Sequence, residues 1–126
     1  MNPSNQIRIA ALLMALAIAL GAFGAHALEP RLLETGHVAE WKTATIYHLV
    51  HGLAMLLIAI GGRREKPSVS FWAWLIGILL FSGSLYVLSY TGNTAKPIVL
   101  STPLGGLAFL IGWIALIVKP KQALFS

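Results

Sequence analysis

Residues 71–90 read FWAWLIGILLFSGSLYVLSY, and this stretch decides the fold. It contains no charged residue, and it has the roughly 20 residues that a helix needs to cross about 30 Å of hydrocarbon. Aromatic residues stand at both ends, where a span meets the two membrane–water interfaces: Phe71, Trp72 and Trp74 at one end, and Tyr86 and Tyr90 at the other. The stretch therefore predicts a transmembrane helix.

Three further segments have the same character, so the chain is predicted to be an all-α membrane protein with four transmembrane helices. The other spans are expected at residues 9–28, 43–62 and 103–118. In the last span, Thr102 is the expected N-cap, Pro103 the first helical residue and Pro120 the end. Helices are expected because lipid offers no partner to free backbone groups, and the alternating pattern of barrel strands is absent. Residues 1–126 thus form a single integral membrane domain, a four-helix bundle.

The composition agrees with a chain that is solvated by lipid. Hydrophobic residues make up 57% of the sequence and charged residues only 10%, which leaves too little polar surface for a soluble domain of 126 residues. The net charge of +5 comes from Lys and Arg beside the apolar stretches, where the lipid bilayer, not nucleic acid, is the expected partner. There is no Cys, which excludes disulfides, thiolate nucleophiles and iron–sulfur ligation.

The distribution of Lys and Arg predicts the orientation of the spans. Positively charged loops resist translocation, and the side that holds both chain ends carries more of these residues than the other side. One side has Arg8, Arg63, Arg64, Lys66, Lys119 and Lys121, and the other has Arg31, Lys42 and Lys96. We therefore expect a multi-pass protein of a bacterial inner membrane with both ends in the cytoplasm, a tight turn at residues 63–66 and an external loop at residues 29–42.

The first span and the loop after it allow more than one interpretation. The apolar stretch followed by Ala25-His26-Ala27 imitates a signal peptide, but it is longer than the roughly 7–15 residues of such a core. We therefore expect the segment to be kept as a membrane span. The external loop can hold a short helix that starts at Pro30 and breaks at Gly36.

Histidine and tyrosine are the residues within the spans that could carry chemistry. Because helix direction alternates, residues far apart in the sequence reach one external layer: His26, His48, His51 and Tyr86, with Ser82, Ser84, Tyr90 and Thr102 at similar depth. His48 and His51 are three residues apart and share a helix face, so they are candidates to ligate a metal or a haem iron. A quinone could bind the same four residues, and the sequence alone identifies no cofactor.

A structural role is the alternative for this layer. Histidine, serine and threonine within a membrane hydrogen-bond to neighbouring helices, and each such bond contributes about 0.6 to 2 kcal/mol. We predict that His48 and His51 both face inward and that at least one of them hydrogen-bonds to Tyr86, to Ser82 or to the first span. His37, in a loop of acidic residues, is expected to be solvated.

The spans lack the groups that transport and catalysis use most often. No Asp, Glu, Lys or Arg lies well inside a predicted span, so the carboxylate that couples proton movement to export is missing. Sequence spacing places no nucleophile beside a base, so catalysis is not predicted. The first hypothesis is an accessory or interaction protein, with a membrane-protein partner or a homo-oligomer. A binding protein for a metal, a haem or a quinone is the alternative, and a small-solute transporter ranks third.

Small residues mark the expected helix contacts, because they let backbones approach closely in lipid. They also could form the seam of a homo-oligomer. The residues are Ala17, Gly21 and Ala25 in the first span, Gly83 in the third, and Gly105, Gly106 and Gly112 in the fourth.

Short motifs along nearly the whole chain carry a family resemblance. They are GAFGAH at residues 21–26, WKTA at 41–44, YHLVH at 47–51, FSGSLY at 81–86, TG at 91–92, TPLGG at 102–106 and GW at 112–113. With these motifs the chain resembles the small bacterial membrane proteins typified by YgdD, domain-of-unknown-function family 423, which has distant mitochondrial relatives. The resemblance implies a four-span inner-membrane protein and implies no particular activity.

Overall fold

Four long helical stretches make up most of the described part of the chain, and the predicted all-α, four-span fold is confirmed. A computed structural model describes residues 1–62 and 66–120. The stretches that are long and apolar enough to cross a membrane are Pro3–Ala25, Val38–Gly62, Val69–Thr91 and Lys96–Val118. The chain is therefore a multi-pass membrane protein. Most of the turn predicted at residues 63–66, and Lys121, lie outside the described residues.

The described residues form six α-helices and one wider helical segment. They are α1 (Pro3–Ala25), α2 (Glu29–Thr35), α3 (Val38–Gly62), α4 (Val69–Gly77), a π-helical segment (Ile78–Ser82), α5 (Gly83–Thr91) and α6 (Lys96–Val118). The third span consists of α4, the π-helical segment and α5 in one continuous stretch. α1, α3 and α6 are each a whole span, and α2 lies in the first loop.

The fourth span begins seven residues earlier than predicted, at Lys96 instead of Pro103. Pro97 occupies its first turn and Pro103 lies inside the helix. A proline inside a helix removes one backbone hydrogen bond, but membrane helices tolerate this loss because neighbouring groups compensate. The prediction that Thr102 caps the helix was wrong. Its hydroxyl instead lies 2.6 Å from the Ser84 hydroxyl on α5.

The predicted short helix in the first loop is present as α2, and it is fastened to the end of α5. Gly36 ends α2 with a left-handed backbone, at a φ of 78°. Arg31 Nε donates to the Tyr90 carbonyl at 2.8 Å, and Thr35 Oγ1 donates to the Ser89 carbonyl at 2.6 Å. These bonds satisfy carbonyls in the last turn of α5, which have no partner within the helix. α2 is therefore a fixed part of the bundle.

The third span contains one wider turn, which keeps a row of side chains on its inner face. Trp74, Ile78 and Ser82 are four residues apart, and all three are buried. In an unbroken α-helix, each step of four residues passes a full turn by about 40°, so the row would drift away from the core. The π-helical segment takes up this drift. Ser82 Oγ thereby donates to the Ala44 carbonyl on α3 at 2.8 Å.

Contacts between glycine and aromatic residues set the distances between the spans. A Cβ atom added at any of four glycines would collide with a neighbouring helix: Gly24 faces Trp41, Gly77 faces Phe109, Gly105 faces Phe81, and Gly112 faces Trp74. Of the glycines predicted at helix contacts, Gly105 and Gly112 are confirmed, and so is Gly21, where an added Cβ would lie 3.0 Å from Thr45 Cγ2 on α3. At Gly83 and Gly106 the nearest atom would be 3.8 Å from an added Cβ, so these two are not points of close approach.

The apolar core occupies the half of the bundle that holds the start of α1, the end of α3 and the start of α4. Its members are Ala10, Leu13, Ala54, Met55, Ile58, Ala59, Phe71, Trp74, Ile78 and Phe109. Most of the polar contacts between helices lie in the other half, where the sequence placed its histidine and tyrosine layer. The candidate site is built there.

Candidate functional site

His48 joins α3 to α5. Its side chain is buried, and Nδ1 lies 3.0 Å from the Tyr86 hydroxyl. The same hydroxyl lies 3.4 Å from Thr45 Oγ1, which donates to the Trp41 carbonyl at 3.1 Å. The predicted hydrogen bond between a histidine of the second span and Tyr86 is therefore present. It belongs to a chain of polar groups that runs along α3.

The other ring nitrogen of His48, Nε2, makes only weak contacts. Nε2 is buried and makes no hydrogen bond of full geometry, although the ring interacts with the Leu13 backbone on α1. The Tyr86 hydroxyl donates its one proton to Thr45 Oγ1, so its oxygen accepts from His48 Nδ1 and the neutral ring carries no proton on Nε2. His48 thus contacts two neighbouring helices at once.

His51 is bonded at both ring nitrogens. Trp113 Nε1 on α6 lies 3.0 Å from His51 Nε2, and an indole nitrogen can only donate. Nε2 must therefore accept, which places the ring proton on Nδ1. Nδ1 donates to the Tyr47 carbonyl at 2.8 Å. The ring also stacks on Phe109, with ring centroids 3.7 Å apart, so α6 is fixed to α3 by one hydrogen bond and one stacked pair.

The two histidines both face inward, but they do not face each other. His48 bonds to α5, whereas His51 bonds to α6. A shared helix face did not give a shared site, because two different helices pack against that face. Among residues 1–62 and 66–120, no group of three or more His, Cys, Asp and Glu could hold a metal ion. A metal bound by both histidines would have to displace Trp113 or the Tyr47 carbonyl from His51.

His26 does not join the layer. It caps the C-terminal end of α1 and is exposed, because Gly24, not His26, is the residue that packs on Trp41 of α3. The expectation for His37 was only partly right, since its Nδ1 lies 3.4 Å from Glu40 Oε2 and its side chain is half-buried. One contact is present among the four predicted candidates (His26, His48, His51 and Tyr86), and it joins His48 to Tyr86.

Two tryptophans complete the polar layer, although neither was predicted from the sequence as a site residue. Trp113 bonds to His51, and Trp41 Nε1 donates to the Leu20 carbonyl on α1 at 2.9 Å. Trp41 also packs edge-on against the Tyr86 ring, with centroids 4.8 Å apart. Trp41 belongs to the motif WKTA at residues 41–44, and Trp113 belongs to the motif GW at residues 112–113. A buried indole N–H group needs a hydrogen-bond acceptor, and this requirement could have indicated from the sequence that both tryptophans bond to neighbouring helices.

A cavity of about 280 Å³ opens beside this layer, between α1, α2 and the start of α3. Of the described residues that line it, only Lys42 is charged. The remaining lining residues are Gly21, Gly24, Ala25, Leu32, Val38, Trp41, Thr45 and Ile46.

Comparison with known proteins places this arrangement in a family. The family model described as "Protein of unknown function (DUF423)" matches residues 20–106, a segment that includes His48, His51, Tyr86 and all the residues that line the cavity. The chain belongs to this family. The resemblance found in the motifs is thereby confirmed. Trp113 lies beyond the matched segment.

Several bacterial membrane proteins are similar to the chain over most of its length. A UPF0382 membrane protein of Staphylococcus aureus is 41% identical over 114 residues, covering 89% of this chain and 91% of the relative. One from Haemophilus influenzae is 45% identical over 101 residues, covering 79% of each chain. The Bacillus subtilis UPF0382 membrane protein YwdK is 41% identical over 113 residues, covering 86% of this chain and 89% of the relative. No solved structure gives a significant match.

Proposed function

We propose that this protein acts by binding another membrane protein, as an accessory or assembly component, and has no catalysis of its own. The observation that carries the proposal is the use of its intramembrane polar groups. His51 is bonded at both nitrogens, and the hydroxyls of Ser82 and Ser84 bond to neighbouring helices. A catalytic group needs a free atom that can reach a substrate. In this bundle the side-chain atoms of His51, Ser82 and Ser84 are instead used in hydrogen bonds that stabilise the packing of the helices.

The outer face of α6 is the surface best suited to such a partner. Only 17% of the residues in the apolar part of α6 are buried within the chain, compared with 22% for α1, 44% for α3 and 50% for the third span. α6 is fixed on one side by Gly105, Phe109 and Gly112. Its other side exposes a continuous apolar surface: Leu100, Leu104, Leu107, Leu110, Ile111 and Ile114.

Site-specific photo-crosslinking in native membranes tests this proposal. A photoreactive residue at Leu107 on α6 should give one discrete protein adduct, whereas the same residue at the exposed Leu57 on α3 should give mainly lipid adducts. Mass spectrometry would then identify the partner, and the wild-type protein should co-purify with it. Equal adducts at both positions, or adducts only between copies of this chain, would contradict an accessory role.

A metal, haem or quinone at the histidine layer is the second candidate, and one observation supports it. Nε2 of His48 is buried without a hydrogen bond of full geometry, so it is the nitrogen of the two inward-facing histidines that has a free lone pair. Elemental analysis and visible absorbance of the purified protein test this candidate. It requires a stoichiometric ligand that His48→Ala removes.

We also propose a location in a bacterial inner membrane with both chain ends in the cytoplasm. The support is the excess of Lys and Arg on the side of the chain ends, with Arg8 before the first span and Lys119 after the last. A topology reporter at Gly36 should therefore read as external and one after Lys121 as cytoplasmic. The opposite result would reverse the orientation.

A further inference from the structure

The cavity between α1, α2 and α3 has walls that are fixed by packing and hydrogen bonds. Gly21, Gly24 and Ala25 provide its space, because they carry almost no side chain. Trp41 forms a wall that cannot easily move, since its indole donates to the Leu20 carbonyl and its ring packs against Gly24. Leu32 of the fixed helix α2 closes another side and is almost completely buried. The shape therefore does not depend on a mobile loop.

The lining of the cavity selects an apolar chain. Its polar side-chain groups other than Lys42 are already used, because the Trp41 N–H donates to Leu20 and the Thr45 hydroxyl donates to the Trp41 carbonyl. A polar solute would lose its hydration there without gaining hydrogen bonds. At about 280 Å³, the cavity lies close to the lower end of the roughly 300–1,000 Å³ typical of small-ligand pockets.

Lys42 gives the site its charge. It is exposed at the cavity rim near the start of α3, and it forms no ion pair within the part of the chain described. The nearby cation Arg31 is already occupied, since it pairs with Glu34 at 3.3 Å and donates to the Tyr90 carbonyl. A lysine at the end of a span extends its ammonium toward the lipid headgroups. The unpaired charge therefore stands at headgroup level above an apolar cavity.

We propose that this cavity binds an anionic phospholipid. One acyl chain lies between α1 and α3 against Trp41, and the lipid phosphate pairs with the Lys42 ammonium. An ammonium is a compact point charge that suits phosphate, and each such cation strengthens the attraction to anionic lipid. The proposal is independent of the protein partner proposed above, because it uses α1 and α3 and leaves the exposed face of α6 free.

Native mass spectrometry of the detergent-solubilised full chain tests the site. The probes are dioleoylphosphatidylglycerol and dioleoylphosphatidylcholine, which have the same acyl chains and differ in net charge. The wild-type protein should retain one phosphatidylglycerol in preference to phosphatidylcholine. Lys42→Gln should weaken phosphatidylglycerol binding about fivefold and leave phosphatidylcholine unchanged. Ala25→Leu should fill the cavity and weaken the binding of both lipids.

Two matched variants separate the site from general effects. Lys96→Gln removes an exposed lysine at the same end of the bundle, and Ala22→Leu enlarges an exposed alanine of α1 outside the cavity. Both should bind lipid as the wild type does. Equal retention of the two lipids, unchanged binding by Ala25→Leu, or an equal effect of Lys96→Gln and Lys42→Gln would each overturn the proposal. Circular dichroism checks that the four variants, all at exposed positions, keep their helical content.

Discussion

Gly105→Ala should lower the unfolding midpoint of the detergent-solubilised protein by roughly 10 °C, equivalent to about 3 kcal/mol. A Cβ atom at Gly105 would lie 2.8 Å from the Phe81 Cα and would also meet the Phe81 backbone nitrogen. A flexible side chain could turn away from such a contact, but backbone atoms cannot. The third and fourth spans would have to separate, which would loosen the other contacts along α6.

The neighbouring glycine provides the control. A Cβ at Gly106 would find its nearest atom, Phe81 Cδ2, at 3.8 Å, which is ordinary van der Waals contact. Gly106→Ala should therefore leave the midpoint unchanged or raise it slightly, since alanine favours helix more than glycine does. Thermal melts of both variants, monitored by circular dichroism, make the comparison. Equal midpoints would show that α6 is rotated differently against the third span.

His51→Leu should reduce the free energy of unfolding by about 2–4 kcal/mol. The change leaves the Trp113 N–H without its acceptor, at a cost of about 1–3 kcal/mol, and it removes the ring stacked on Phe109, worth about 0.5–1.5 kcal/mol. Leu57→Ala, on an exposed face of the same helix, should have a much smaller effect. Reversible unfolding in mixed micelles with increasing denaturing detergent measures both changes.

A double-mutant cycle isolates the bond between the two rings. Trp113→Phe removes the indole donor and keeps an aromatic side chain. If the hydrogen bond stabilises the bundle, the double variant should be less destabilised than the sum of the single variants, by about 1–2 kcal/mol. Strictly additive effects would mean that the contact contributes nothing to stability, and the structural role assigned to His51 would then be wrong.

The existence and order of the spans could be predicted from the sequence, because hydrophobic length alone determines them in lipid. The start of α6 could not be predicted in this way. Thr102 followed by Pro103 is a strong signal for a helix N-terminus, but that signal reflects the high cost of an internal proline in water. Within the membrane, Pro103 lies inside the helix and Thr102 bonds to Ser84.

The depth of the histidine layer could also be predicted, because the rise per residue of a helix is fixed. The partners of each ring could not, since they depend on how each helix is rotated about its axis. That rotation is set by contacts such as Gly105 with Phe81 and Gly112 with Trp74. The sequence shows several glycines per span and does not mark which one faces an aromatic residue. The sequence therefore suggested His48 as the neighbour of His51, whereas in the structure His51 is bonded to Trp113.

The true start of α6 also changes how the protein fits the thickness of the bilayer. A span over residues 103–118 would measure about 24 Å, and lipid around it would have to thin. From Lys96 the helix has 23 residues, or about 35 Å, and the other three spans have 23, 25 and 23 residues. Hydrophobic mismatch is therefore similar on all sides of the bundle. A common tilt of the whole bundle, with no local deformation of the membrane, is enough to accommodate it.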